Sequence, residues 1–196
     1  MIQVLSFIVY SAISEARHTT GSNHSFTADE IRTDKDIVIN LFGSFEIYTL
    51  KSVMKEDEIN SPKIIKNLTY LLLNPNKYCS PRRLCDAIWP DEIIDNPSSK
   101  IKSLIYRLHT MCSDALDYNL IISTCRGYHL NPDLNIVTDL QLFEDYWLLS
   151  QKTLSNKAKI EILKKLTIIY RGSLPSSATG EHWLMNSEMG FHHKYM

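Results

Sequence analysis

The sequence predicts an α+β fold in which a small N-terminal antiparallel sheet, three helices and a closing β-hairpin are followed by an all-α helical hairpin. Three observations predict it. Alternating apolar residues begin at Asp36, three Ser-Pro or Asn-Pro pairs each precede an apolar-periodic run, and a glycine turn near residue 127 separates two short β-type segments.

Ile37, Ile39 and Leu41 share one face of a strand over 36–42. Gly43 interrupts it and 45–48 resumes the alternation, as in a hairpin, while the weaker 51–59 stretch has room for one or two short strands. Ser61-Pro62, Ser80-Pro81 and Asn96-Pro97 mark three helix starts. The Ser or Asn oxygen accepts a free N–H of the first turn, and proline at the first helical position gives up no hydrogen bond. The first helix covers 63–73 with Ile64, Ile65, Leu68, Leu71 and Leu72 on one face, and stops at Asn74-Pro75. The second, over 82–89, buries Leu84, Cys85, Ile88 and Trp89 and ends at Pro90. The third covers 98–116. Strands over 120–124 and 128–130 then flank Cys125-Arg126-Gly127, a turn whose glycine can take a positive φ.

After residue 131 the pattern becomes helical. Thr138 with Gln141 forms a capping box ahead of Leu140, Phe143, Tyr146, Trp147 and Leu148. A second helix over 156–170 turns Ile160, Leu163, Leu166, Ile169 and Tyr170 inward, 171–175 breaks it, and 181–196 forms a third. This is one TPR-like unit of a helical-repeat array. Such units bury their faces against neighbours, so the natural chain is expected to continue beyond Met196 or to be a truncated copy. The expected organisation is an extension and linker over 1–35, a first domain over 36–131 and a partial helical domain over 132–196.

Bulk properties narrow the function by exclusion. The 196 residues carry a net charge of -1, so nucleic-acid binding can rest only on where the charges sit. The four cysteines, Cys79, Cys85, Cys112 and Cys125, form no C-x-x-C pair and read as reduced thiols in a cytoplasmic protein. The apolar segment 2–13 is too short to span a bilayer and lacks a basic leader, so no membrane partner is expected. His192-His193, or Cys85 and Cys112 with His109, could be drawn as catalytic or metal sets. No helix-spaced ligand motif, phosphate-binding glycine loop or nucleophile elbow accompanies them. The expectation is therefore no enzyme activity, cofactor, metal or small-molecule substrate.

The third helix holds the strongest positive signal. At 100° per residue, Ile101, Leu104, Ile105, Leu108, Met111, Cys112 and Ala115 fall on one side. Opposite lie Ser99, Lys102, Ser103, Tyr106, Thr110 and Ser113, with Lys100 and Arg107 on one flank and His109 on the other. No acid occurs between Ser98 and Ser113. Such a face suits a DNA major groove, where Lys and Arg meet phosphates or guanine acceptors and hydroxyls serve either. The connection before it, 90–96, is longer than a simple helix-turn-helix turn and contains Asp91, Glu92, Ile93, Ile94 and Asp95. Its acids repel phosphate. The loop therefore faces a protein, or else its two isoleucines pack on the core.

Leu-Phe-Gly-Ser-Phe-Glu-Ile over 41–47, Leu-Cys-Asp-Ala-Ile-Trp-Pro over 84–90, Ile-Tyr-Arg-Leu over 105–108 and Arg-Gly-Tyr-His-Leu over 126–130 together resemble the OmpR/PhoB-type winged helix-turn-helix of SARP-like bacterial regulators. Asp139, Phe143 and Tyr-Arg-Gly-Ser-Leu over 170–174 resemble the opening of that family's bacterial transcriptional activation domain. The resemblance runs from Asp36 to the C-terminus. It implies a double-stranded DNA-binding transcription regulator and favours an activator that recruits RNA polymerase holoenzyme through the 90–96 loop and the helical domain. By residue it gives groove contacts to Arg107, Lys102, Ser103 and Tyr106, and a wing contact to Arg126. The family often has Leu-Arg where this chain has Leu108-His109, and Ser-Arg where it has Ser80-Pro81. Arg82 and Arg83 supply that second charge one or two positions later. Binding as a homodimer on tandem repeats is left open. The alternative is a winged-helix module for protein–protein contact with little DNA affinity, favoured by the near-neutral charge and by His109.

Overall fold

A computed structural model describes residues 33, 35–175 and 182–196. The N-terminal extension and nearly all of the expected linker lie outside these residues. The chain opens with β1 (Asp36–Asn40), β2 (Glu46–Tyr48) and β3 (Val53–Lys55), an antiparallel meander in which Ile39 faces Ile47 and Ile47 faces Met54. The 51–59 stretch thus contains one strand, and its remainder is a helical turn, α1 (Glu56–Ile59), rather than a second strand. Glu58 accounts for this: its carboxylate accepts the N–H of Lys55 and starts a helix.

Helices α2 (Pro62–Leu72), α3 (Pro81–Ile88) and α4 (Pro97–Cys112) follow the three prolines. Ser80 and Asn96 cap as expected, accepting the N–H groups of Arg83 and Ser99 at 3.3 and 3.0 Å. Ser61 does not. Its side chain makes no cap bond, and its backbone carbonyl accepts from Ile64 and Ile65 instead. Every residue from Ile64 to Leu72 is buried, more than the one face expected, and at Tyr70 the Trp183 ring of the C-terminal helix packs edge-on. α4 ends at Cys112, about one turn earlier than its apolar pattern suggested. Ala115 and Leu116 are still buried, through a turn closed by their N–H bonds to the Cys112 carbonyl.

A hairpin of β4 (Ile121–Thr124) and β5 (Gly127–Leu130) forms the wing, with Cys79 bridging to Tyr128 as a third element. Residues 135–138 then add β6 (Asn135–Thr138), which the sequence reading passed over. It pairs parallel to β1, with Ile37 beside Ile136, giving the sheet order β3-β2-β1-β6. β1 is central in this sheet, and both its faces are buried from Ile37 onward.

The C-terminal segment contains α5 (Asp139–Lys152), α6 (Asn156–Ile169) and α7 (His182–Tyr195). Thr138 caps α5 by accepting the N–H of Gln141 at 3.0 Å. The reciprocal half of the capping box is absent, and the Gln141 amide nitrogen donates to Asp145 Oδ1 at 3.4 Å. On α6, Ile162, Leu166 and Ile169 are buried, whereas Ile160 and Leu163 face outward. Leu148 of α5 is likewise exposed. Phe42, just after β1, joins the two halves of the chain. Its ring makes edge contacts with Phe143, Tyr170 and Phe191 at centroid distances of 5.6, 5.0 and 5.3 Å. Gly43 permits the approach, with φ +81° and the site of a Cβ only 2.9 Å from the Arg171 carbonyl oxygen.

Candidate nucleic-acid interface

α4 is seated by Ile101, Leu104, Ile105, Leu108 and Cys112, all buried. Fixing that face fixes the opposite one. Ser99, Lys102, Ser103, Tyr106, Arg107 and Thr110 are all exposed, with Tyr106 71% accessible. The Thr110 hydroxyl donates to the Tyr106 carbonyl at 3.0 Å, which commits its proton to the helix and leaves its lone pairs outward. Lys100 is turned aside. Its ammonium lies 4.5 Å from the Trp89 ring centroid and 2.5 Å from Glu92 Oε2, so its charge serves the 90–96 loop.

His109, where the resembling family often has arginine, is half-buried and hydrogen-bonded to the backbone of Ile121 on β4. Burial holds its pKa below the ordinary value, with the Ile121 bond acting against that shift. The imidazole therefore stitches α4 to the wing. Burial raises the Cys112 thiol to about 11 and pushes Cys79 and Cys85 upward as well, so all three are protonated core thiols. Among the described residues, no group of three or more His, Cys, Asp or Glu is placed to hold a metal ion.

At the wing, Arg126 occupies the turn between β4 and β5, its guanidinium 5.4 Å from the Tyr78 ring centroid. Tyr78 in turn meets His129 edge-on at 4.4 Å. Gly127 closes the turn with φ +124°, and a Cβ there would lie 2.5 Å from the Cys79 carbonyl oxygen. At the start of α3, Arg82 pairs with Asp86 at 3.1 Å, and Arg83 Nε donates to the Tyr70 hydroxyl at 2.7 Å. Tyr70 and Tyr78, which hold two of the candidate arginines, escaped the sequence reading because neither lies in the helix or turn that it supports.

The 90–96 loop divides its isoleucines. Ile94 is buried and Ile93 is 96% exposed, with Asp91, Glu92 and Asp95 exposed around it. Between loop and helix lies a cleft of about 560 Å³, lined by Trp89, Ile93, Ile94, Ser103 and Arg107 among others. Lys63 fixes the loop's start, donating to the Ile88 carbonyl at 3.0 Å and lying 5.6 Å from the Trp89 ring centroid.

No protein-family model and no curated protein matches this sequence. Among solved structures the chain is similar to Mycobacterium tuberculosis EmbR, determined in complex with a low-affinity phosphopeptide. The TM-score is 0.66 at 17% identity, over 81% of this chain and 42% of that one. At that identity the likeness is one of fold. The chain shares its α+β fold, a winged helix followed by a helical segment, and spans about two fifths of the EmbR chain's length. No described helix is long and apolar enough to cross a membrane.

Proposed function

We propose that this chain is a sequence-specific double-stranded DNA-binding transcription regulator. One observation carries the proposal: the outward face of α4 presents Lys102, Arg107, Ser99, Ser103 and Tyr106 together, free of acids, on a helix whose other face is locked into the core. Lys and Arg on such a face meet phosphates and the O6/N7 acceptors of guanine, and hydroxyls meet either. Arg126 lies at the tip of the wing against the Tyr78 ring, and Arg82 and Arg83 stand at the start of α3. The fold likeness to EmbR, a SARP-family regulator, supports a regulatory role.

The 90–96 loop supplies a second surface of different chemistry. Ile93 stands in solvent amid three acids, a composition suited to a protein partner and repelled by phosphate. RNA polymerase is the partner we assign to it, with activation as the outcome. Exposed Ile93 also favours the second reading, in which the whole winged helix is a protein-contact module with little affinity for DNA. Duplex titrations across a salt series separate the two. A regulator neutralising several phosphates loses affinity steeply as salt rises, by a slope of about -0.9 per phosphate. Flat or absent binding to every duplex, including the region upstream of its own gene, would leave only the protein-contact reading.

A further inference from the structure

Arg83 stands at the start of α3, close enough to the wing's base for its charge to act on the Cys79 thiol. Its guanidinium is exposed but not loose. Nε donates to the Tyr70 hydroxyl at 2.7 Å, which uses one of five N–H donors and leaves both terminal amines to point elsewhere. Tyr70 is buried, and its ring meets the Trp183 indole edge-on, with centroids 5.1 Å apart and planes at 85°. The indole Nε1–H of Trp183 donates in turn to the Ala87 carbonyl at 3.0 Å, near the other end of α3. Three residues from α2, α3 and α7 thus form one continuous relay.

We propose that Tyr70 and Trp183 are positioning residues that pre-set the Arg83 guanidinium for a duplex phosphate, so that the C-terminal helix sets part of the DNA affinity without touching DNA. This rests on the reading that the chain binds duplex DNA. A free arginine side chain loses rotamer freedom when it docks on a phosphate. An arginine already held at Nε has lost much of that freedom in the unbound protein. Its planar fork keeps two amines in fixed directions, which a lysine could not do. The relay also makes α7 a structural partner of the helix-turn-helix, because Trp183 grips α3 from behind while Arg83 faces outward.

The test is a double-mutant cycle on the full chain, read by anisotropy of a fluorescein-labelled mixed-sequence duplex across a salt series. Arg83→Ala is expected to weaken binding and to reduce the salt slope by about 0.9. Tyr70→Phe keeps the ring and removes the acceptor. It is expected to weaken binding roughly 2- to 10-fold, from about 0.5–1.5 kcal/mol of side-chain ordering, and to leave the slope unchanged. Trp183→Phe keeps the aromatic contact and removes the bond to Ala87, with a smaller loss of the same sign. Both losses are expected to vanish on the Arg83→Ala background, a non-additivity that general destabilisation does not produce. Thermal melts confirm folding, and if Trp183→Phe does not fold, Tyr70→Phe alone decides. Unchanged or tighter binding by Tyr70→Phe, or a deficit that persists without Arg83, overturns the relay while duplex binding stands. A wild-type chain that binds no duplex overturns both.

Discussion

Both carboxylate oxygens of Asp139 accept the backbone N–H of Leu41, at 2.9 and 2.8 Å, across 98 positions of sequence. One of them also accepts the N–H of Phe42 at 2.8 Å and lies 3.4 Å from Arg171. The parallel pairing of β1 and β6 makes this possible. It brings the end of β1 to the start of α5, where a single buried acid satisfies two backbone donors that have left the sheet.

That arrangement has a pH signature. Burial pushes Asp139 up from 3.8 to about 6, against the opposing pull of the Phe42 and Leu41 N–H groups and Arg171. Between those values the folded chain holds a proton that the unfolded chain has lost. The Asp139 contribution to stability therefore falls as pH rises from 3.8 to about 6, and is level above. In Asp139→Asn this fall is absent. Chemical denaturation across pH should show the wild-type advantage over the variant narrowing through that window, and a constant gap would contradict the assignment.

His109 predicts the opposite slope. Burial lowers its pKa below 6.5, so the unfolded chain takes up a proton first as pH falls. Its contribution to stability is present above pH 6.5 and lost below. His109→Gln should remove that acid sensitivity, as measured by melting temperature between neutral and mildly acidic buffer. An identical pH dependence in both proteins would remove His109 from the α4–wing contact.

Phe191→Ala should cost about 3–5 kcal/mol, the usual range for removing a phenyl ring from a packed core. Phe191 lies 5.3 Å from Phe42 and 5.7 Å from Phe143, so its loss loosens the sheet as well as the helices. One cooperative denaturation transition is expected in wild type and variant alike. Two separated transitions would show that the aromatic cluster does not bind the halves together.

Gly127→Ala places a methyl 2.5 Å from the Cys79 carbonyl at φ +124°. Strain of about 1–3 kcal/mol is expected at such a position. The pairing between Cys79 and Tyr128 should open, and with it the setting of Arg126 on the wing. Hydrogen exchange at Tyr128, whose N–H bonds Cys79 at 2.9 Å, reads this directly. Unaltered protection would mean that the wing tolerates a side chain there.

Local chemistry was the part of the fold that the sequence made legible. Ser80-Pro81 and Asn96-Pro97 announced α3 and α4, and the alternation from Ile37 announced β1. The outward face of α4 followed from its period alone. Non-local pairing was not legible. β6 is four residues long and gains its strand character from β1, about a hundred positions earlier. The edge-on cover of Tyr70 on α2 depends on Trp183, and the aversion of Lys100 depends on Glu92 and Trp89. On α6, apolar spacing predicts five inward residues, yet Ile160 and Leu163 face outward because α6 packs mainly against α5 through a narrower stripe. Periodicity sets which residues share a face, and neighbours decide how wide the buried part is.

If the exposed face of α4 reads duplex DNA, as proposed, Arg107 is the residue on which that reading turns. The most direct measurement is the affinity of wild type and Arg107→Ala for a duplex selected by the wild-type protein, alongside a mixed-sequence duplex at the same salt. The predicted result is a loss of about 1–3 kcal/mol on the selected duplex, with relaxed preference at one base position and a smaller loss on the mixed one. Unchanged affinity and unchanged sequence preference would remove Arg107 from DNA reading and leave the α4 face without its assigned role.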